Sequence, residues 1–289
     1  MSNMARVLGV VCVLCCSGWL AAATAACLNP KVLQMAVIPK SVRNAQVSSQ
    51  SALLQSIQEE SGKAVELLPA TSYAAVIENL LAGKAHIAEL GPASYALLSK
   101  RAPHFVPFAT LSRSRQLGQY HSLLVVRGDA LYQSLLQLRG KSLALTDPSS
   151  TSGAVVPGWM VQKATGYALT HYFSRVLFMG SHDRALEAVR KGWVEAAFVA
   201  SDQMPEDDKS WRVLWRSPAL VGSPFVMDGR LCPAIQAQVR KAFLERQERL
   251  QAWLQMQHYQ YVVPVTAEDY AGVQALIAPP ADGSSHPNN

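Results

Sequence analysis

The chain has 289 residues, 49% of them hydrophobic, 16% charged and 8% aromatic, with a formal charge of +6 and five cysteines. That length supports one large domain or two ordinary lobes, and the apolar content excludes a disordered, collagen-like or coiled-coil chain. Six excess positive charges, dispersed over this length, do not make a nucleic-acid-binding surface.

Residues 7–28 carry no charge and hold Cys12, Cys15, Cys16 and Cys27. One positive charge, Arg6, precedes this run, and small residues close it from Ala21 to Ala26. That order predicts an export signal over residues 1–26 and a periplasmic destination. A single membrane helix is the competing reading, but the alanine-rich end and the lack of a following basic cluster speak against it. After cleavage Cys27 and Cys232 remain, and in an oxidising compartment the two are expected to bond. Lipidation of Cys27 is the alternative, because Thr24-Ala25-Ala26-Cys27 resembles a bacterial lipoprotein cleavage box with Thr24 where Leu is usual.

From residue 32 onward, strand-like runs alternate with amphipathic stretches. The pattern predicts strands at Leu33–Ile38, Ala64–Leu68 and His86–Leu90, with helices at Ser49–Glu60, Tyr73–Ala82 and Ser94–Ser99. After the extended run Tyr120–Arg127 the cycle repeats. Strands are expected at Ser142–Thr146, Arg175–Met179 and Glu195–Val199, with helices from about Ser152 to Ala164 and over Asp183–Lys191. Trp211–Trp215, a Pro/Gly-rich stretch and a short strand at Phe225–Met227 follow. One long helix is then predicted, with Ile235, Val239, Phe243, Leu250 and Leu254 on its buried face and the charges between them solvated. The tail, residues 279–289, reads as disordered. Strands alternating with helices, in two sets, imply two α/β lobes with mostly parallel sheets and a cleft between them. The expected division is residues 30–119 plus 221–278 for the first lobe and 120–220 for the second. Ligands favour such clefts and the carboxyl ends of parallel strands.

The strongest chemical signal is Asp147-Pro148-Ser149-Ser150-Thr151-Ser152-Gly153, between a predicted strand and a predicted helix. A helix start offers unpaired N–H groups and partial positive charge, and the hydroxyls of Ser150, Thr151 and Ser152 add donors suited to a tetrahedral oxyanion. An ordinary capped helix accounts for the same residues. Gly180-Ser181-His182-Asp183 repeats the arrangement in the next crossover; His182 either donates to an anion or becomes charged as pH falls through about 6.5. Thr71-Ser72-Tyr73 and Gly91-Pro92-Ala93-Ser94-Tyr95 each set a tyrosine at a helix start on the ligand-facing side of a sheet, as an anion donor or as a core aromatic. Phosphate-loop, dinucleotide-binding and nucleophile-elbow motifs are absent, and no histidines or cysteines have zinc spacing, so neither cofactor nor metal is expected. A Ser150/His182/Asp183 hydrolase is the rival from the enzyme class; Asp183 is poorly placed to orient its own neighbour's ring.

Taken together these residues resemble the substrate-binding proteins of phosphate/phosphite/phosphonate ABC importers. The matching segments are Ser72–Leu80, Gly83, Gly91–Tyr95, Tyr120-His121-Ser122, Leu138–Lys141, Asp147–Gly153, Gly180–Asp183 and Ala267–Tyr270. The resemblance spans about residues 33–273. It implies a two-lobed periplasmic-binding-protein type II fold, hinged, that closes over a small oxyanion without catalysing a reaction. Carried over by position, the ligand contacts are Tyr73, Tyr95, Ser150, Thr151, Ser152 and His182. Relatives that hold aminoalkylphosphonates use acidic residues for the ammonium. Here Ser223, before Pro224, stands at one such position and offers no charge, while Asp202 either occupies another or caps the turn containing Pro205. Phosphate, phosphite or a small phosphonate is therefore expected over an amine-bearing ligand. The implied partner is a membrane permease, or alternatively a membrane sensor using the same module, with the binding protein acting as a monomer.

Overall fold

A computed structural model describes residues 26–40, 47–204 and 208–276. The expected signal segment, the turn at Pro205 and the tail from residue 279 lie outside the described residues, apart from Ala26.

In chain order the first elements are β1 (Val32–Val37), α1 (Val47–Ser61), β2 (Ala64–Leu68), α2 (Tyr73–Leu81), β3 (Ile87–Glu89), α3 (Pro92–Arg101) and β4 (Phe105–Ser112). The chain crosses over through β5 (Gln119–Tyr120). It then builds β6 (Ser122–Arg127), β7 (Ser142–Leu145), a π-helical turn (Thr151–Val155) running into α4 (Val156–Thr165), and the one-turn α5 (Leu169–Tyr172). Next come β8 (Arg175–Phe178), α6 (His182–Arg190), β9 (Ala196–Ala200) and β10 (Trp211–Arg216). It returns through β11 (Leu220–Val221) to β12 (Pro224–Asp228), α7 (Pro233–Leu244), α8 (Gln247–Met256) and β13 (Tyr261–Pro264).

Among the described residues these strands form a six-stranded sheet, ordered β13-β4-β12-β3-β1-β2, and a five-stranded sheet, ordered β10-β6-β9-β7-β8. The two crossings, β5 and β11, pair antiparallel, with Tyr120 opposite Leu220. Each sheet with its helices is one lobe.

The expectation of mostly parallel sheets is corrected to mixed ones. β1 pairs parallel with β2 and β3, and β7 with β8 and β9. β12 runs antiparallel to β3 and β4, and β6 antiparallel to β9 and β10. The reason is direction of entry. Strands joined by helical crossovers end at the cleft, whereas β6 and β12 begin there, directly after a crossing, and run the opposite way.

Burial explains the composition of the strands. In the second lobe Leu124, Val126 and Phe198 pack on one face and Leu123, Val125 and Val199 on the other, so these strands read as unbroken apolar runs instead of alternating ones. In the first lobe Phe108, Phe225 and Phe243 form an aromatic group, with ring centroids 5.0 and 4.8 Å apart. The predicted single long helix is two, α7 and α8, broken at Glu245–Arg246. The break lets charges expected to be merely solvated converge on α1. Lys241 and Arg246 reach Glu60 at 2.8 and 2.9 Å, and their hydrogen bonds hold its carboxyl down at about 2. Cys27 and Cys232 form a disulfide with Cα atoms 4.7 Å apart, and Cys232 N–H donates to the carbonyl of Leu28. A sulfur so bonded has no valence for a lipid thioether. No helix among the described residues is long and apolar enough to cross a membrane.

Candidate ligand-binding site

The turns after β1 (Lys40), β2 (Tyr73), β3 (Gly91), β7 (Ser150 to Ser152), β8 (His182) and β9 (Asp202) meet in the cleft and supply the site. After β7, Asp147 starts a tight reversal: its carbonyl accepts from Ser150 N–H at 2.8 Å and its Oδ1 from Ser149 N–H at 2.8 Å. Ser150 then caps the next turn, its Oγ accepting from Gly153 N–H at 3.1 Å. Val155 N–H donates five residues back to Ser150 at 3.0 Å, so the helix begins as a wide π turn. Of the three capping candidates, Ser150 holds the position. The N–H groups of Thr151 and Ser152 have no acceptor among the described residues, and all three hydroxyl residues are 2% exposed. Gly153 is required by space, since a Cβ there would lie 2.2 Å from Thr146 Oγ1.

His182 opens α6 as its first residue. Its Nδ1 accepts from Ala200 N–H at 3.2 Å and lies 3.0 Å from Thr146 Oγ1. A ring nitrogen that accepts from a backbone N–H carries no proton, which leaves the proton on Nε2. Burial pushes this histidine down to about 4. Of the two roles expected for it, donating to an anion or charging near 6.5, the geometry favours the first: the ring is neutral with its proton on Nε2. The same geometry counts against the hydrolase reading, because Nδ1, the atom a triad carboxylate would hold, is already engaged.

Tyr73 starts α2, where Ser72 caps the helix by accepting from Ala75 N–H at 3.1 Å. Its hydroxyl lies beside Ser150, and burial raises its pKa well above the ordinary phenol value, so it stays a donor. Tyr120, at the crossing, sits beside the hydroxyls of Thr151 and Ser152 and is likewise shifted upward by burial. Tyr73, Tyr120, Ser150, Thr151, Ser152 and His182 line one pocket of about 260 Å³, its mouth included. Tyr120 is an addition to the expected contacts, although Tyr120-His121-Ser122 carries part of the resemblance.

Tyr95 is not among the lining residues. It points into the first-lobe core, where its ring meets Tyr270 edge-on at 5.4 Å. A helix start fixes where a residue begins, not which face its side chain takes, and here the α3 face is buried. Asp202 and Ser223 do reach the pocket. Asp202 Oδ2 accepts from the Tyr259 hydroxyl, and its Oδ1 is buried without a partner among the described residues. Ser223 brings no charge. Other residues outside the expected set complete the walls: Ile38, Gly91, Ala200, Gln203 and Lys40, whose ammonium bonds Glu89. No cluster of metal-ligating side chains occurs among the described residues.

The lobes touch across the site. Ala93 N–H donates to Thr151 Oγ1 at 2.8 Å, the Ser94 hydroxyl to the Ser149 carbonyl at 2.9 Å, and Tyr73 N–H to Asp147 Oδ2 at 3.3 Å. The arrangement surrounds a small space with neutral N–H and O–H donors, with the charged Lys40 and Asp202 also in its walls.

Residues 35–270 match the family model described as ABC transporter, phosphonate, periplasmic substrate-binding protein. Among characterised relatives, the phosphate-import protein PhnD of Mycolicibacterium smegmatis is 25% identical over 278 residues, covering 85% of this chain and 84% of its own. Among solved structures, a binding protein component of an ABC phosphonate transporter from Pseudomonas aeruginosa superposes with a TM-score of 0.76 at 23% identity, covering 86% of both chains. PhnD1 from Prochlorococcus marinus, in complex with methylphosphonate, gives 0.76 at 18% identity over 86% of this chain and 97% of its own.

Proposed function

The chain belongs to the periplasmic phosphonate substrate-binding proteins of ABC transporters, and we propose that it captures a small phosphorus oxyanion between its lobes and delivers it to the membrane permease. Proteins of this family bind solutes for import and are not enzymes. The ligand is phosphate, phosphite or a small phosphonate. The lobes are residues 30–119 with 221–278 and residues 120–220, moving about the β5–β11 ribbon. The mature protein is a periplasmic monomer, freed of residues 1–26 and unanchored because Cys27 bonds Cys232.

The observation that carries this reading is the π turn at Thr151–Val155, where the N–H groups of Thr151 and Ser152 have no acceptor among the described residues and are ringed by Tyr73, Tyr120 and His182. In the proposed cycle the open protein presents the Ser150–Ser152 turn on the second lobe, the anion docks there, and closure brings Tyr73 from the first lobe. Neutral donors favour release as well as capture, since none forms the bidentate fork of a buried arginine. Each hydrogen bond to a charged ligand contributes roughly 1.5–3 kcal/mol. Four or five of them at the upper end of that range, after the costs of association, reach the roughly 8 kcal/mol of micromolar affinity.

Calorimetry of the mature protein with phosphate, phosphite, methylphosphonate and 2-aminoethylphosphonate tests the reading. At least one amine-free oxyanion is expected to bind most tightly; a strong preference for the amine-bearing ligand contradicts the assignment.

A further inference from the structure

The neutral donors of the ligand shell leave one charged pair of the pocket unused. Glu89 ends β3, and its register partner on β1 is Val37, three residues before Lys40. Two parallel neighbours thus deliver a carboxylate and an ammonium to the same cleft-facing edge of the first sheet. Each residue is 8% exposed. The Lys40 ammonium bonds Glu89 Oε1 and lines the pocket; its two other N–H donors have no partner among the described residues. The backbone of Lys40 is seated on the opposite lobe, its carbonyl accepting from His182 N–H at 2.9 Å.

Charge balance shows what this cation does. The phenols, hydroxyls and His182 are neutral, while Asp202 places a carboxylate in the wall with one oxygen that has no partner among the described residues. Against an incoming anion that carboxylate repels, in a setting where water screens poorly. We propose that Lys40 is a specificity-determining residue: its ammonium offsets Asp202, donates to the bound oxyanion, and removes the advantage an amine-bearing ligand would draw from the Asp202 carboxylate. Glu89 holds the lysine in place and weakens its pull on the ligand. This role for Lys40 rests on the oxyanion reading of the site.

The test is calorimetry of wild type, E89Q and K40Q/E89Q with methylphosphonate and 2-aminoethylphosphonate. The double variant keeps a neutral amide pair of similar volume in place of the ions. It is expected to bind methylphosphonate about 10- to 100-fold more weakly, the range of one hydrogen bond to a charged group, and to narrow the preference for it over 2-aminoethylphosphonate at least about tenfold. E89Q, which leaves the ammonium facing a neutral acceptor, is expected to tighten methylphosphonate binding about threefold or more. Equal weakening of both ligands in K40Q/E89Q, or unchanged methylphosphonate affinity in E89Q, overturns the assignment. The E89Q result decides alone if the double variant melts early. Failure of wild type to bind either ligand, or phosphate and phosphite, overturns the oxyanion reading instead.

Discussion

His182 N–H donates to the carbonyl of Lys40 at 2.9 Å, so the first residue of α6 in one lobe is bonded to the turn after β1 in the other. The same residues both line the pocket. The contact between the lobes and the wall of the pocket are therefore made by the same two residues. The bonds from Ala93 to Thr151 and from Ser94 to Ser149 repeat the relationship on the other side of the π turn.

Thr151 carries two of these duties, and its isostere separates them from folding. In T151V the Ala93 N–H, buried in the closed form, loses its acceptor, and a hydroxyl leaves the ligand shell. Affinity for methylphosphonate should fall at least about tenfold, the equivalent of about 1.4 kcal/mol. The melting temperature of the unliganded protein should change little, because an open form returns that N–H to water. Calorimetry and thermal denaturation of the same preparation check both halves.

Gly153 is a test of the π turn itself. A methyl group there would lie 2.2 Å from Thr146 Oγ1 and 2.5 Å from Thr146 Cβ, atoms at the end of a buried strand with little room to move. G153A should cost about 1–3 kcal/mol, as overpacking does, and lower the melting temperature by roughly 5 °C. Ligand affinity should drop with it, since relief requires the turn to move away from the cleft. A melting temperature within a degree of wild type would show that the turn is not held as described.

His182 ties stability to pH in a stated direction. Its folded pKa of about 4 lies below its unfolded value of 6.5, so between those limits the unfolded chain holds more protons and stability rises with pH. Its contribution is fully present above 6.5 and is lost as pH falls toward 4, on the order of 3 kcal/mol in all. Urea denaturation at pH 4.5, 5.5 and 7 should show this loss in wild type and a shallower one in H182N. Matching profiles for the two proteins would contradict the buried, neutral state.

Much of this site is legible in the amino-acid sequence. Small polar residues that interrupt an apolar strand and precede a helix, as at Asp147–Gly153 and Gly180–Asp183, have few other places to go than a strand's carboxyl end. What the sequence hides depends on direction in space. Tyr95 and Tyr73 occupy similar positions at helix starts, yet one turns into the core against Tyr270 and the other into the pocket. Tyr120 sits on a two-residue strand too short for periodicity to reveal a face. Lys40 acquires meaning only from Glu89, 49 residues away in sequence. The antiparallel entry of β6 and β12 is invisible for a similar reason, because an apolar run has the same pattern in either direction.

The Ser150–Ser152 turn is the proposed seat of the phosphorus oxyanion. Replacing all three residues with alanine removes the hydroxyl donors and the Ser150 cap while leaving both sheets intact. Calorimetry of the S150A/T151A/S152A variant with the tightest ligand of the phosphate, phosphite and methylphosphonate series is the most direct test. Binding should disappear while the far-ultraviolet circular dichroism spectrum stays that of wild type. Wild-type affinity in a folded triple variant would contradict the account.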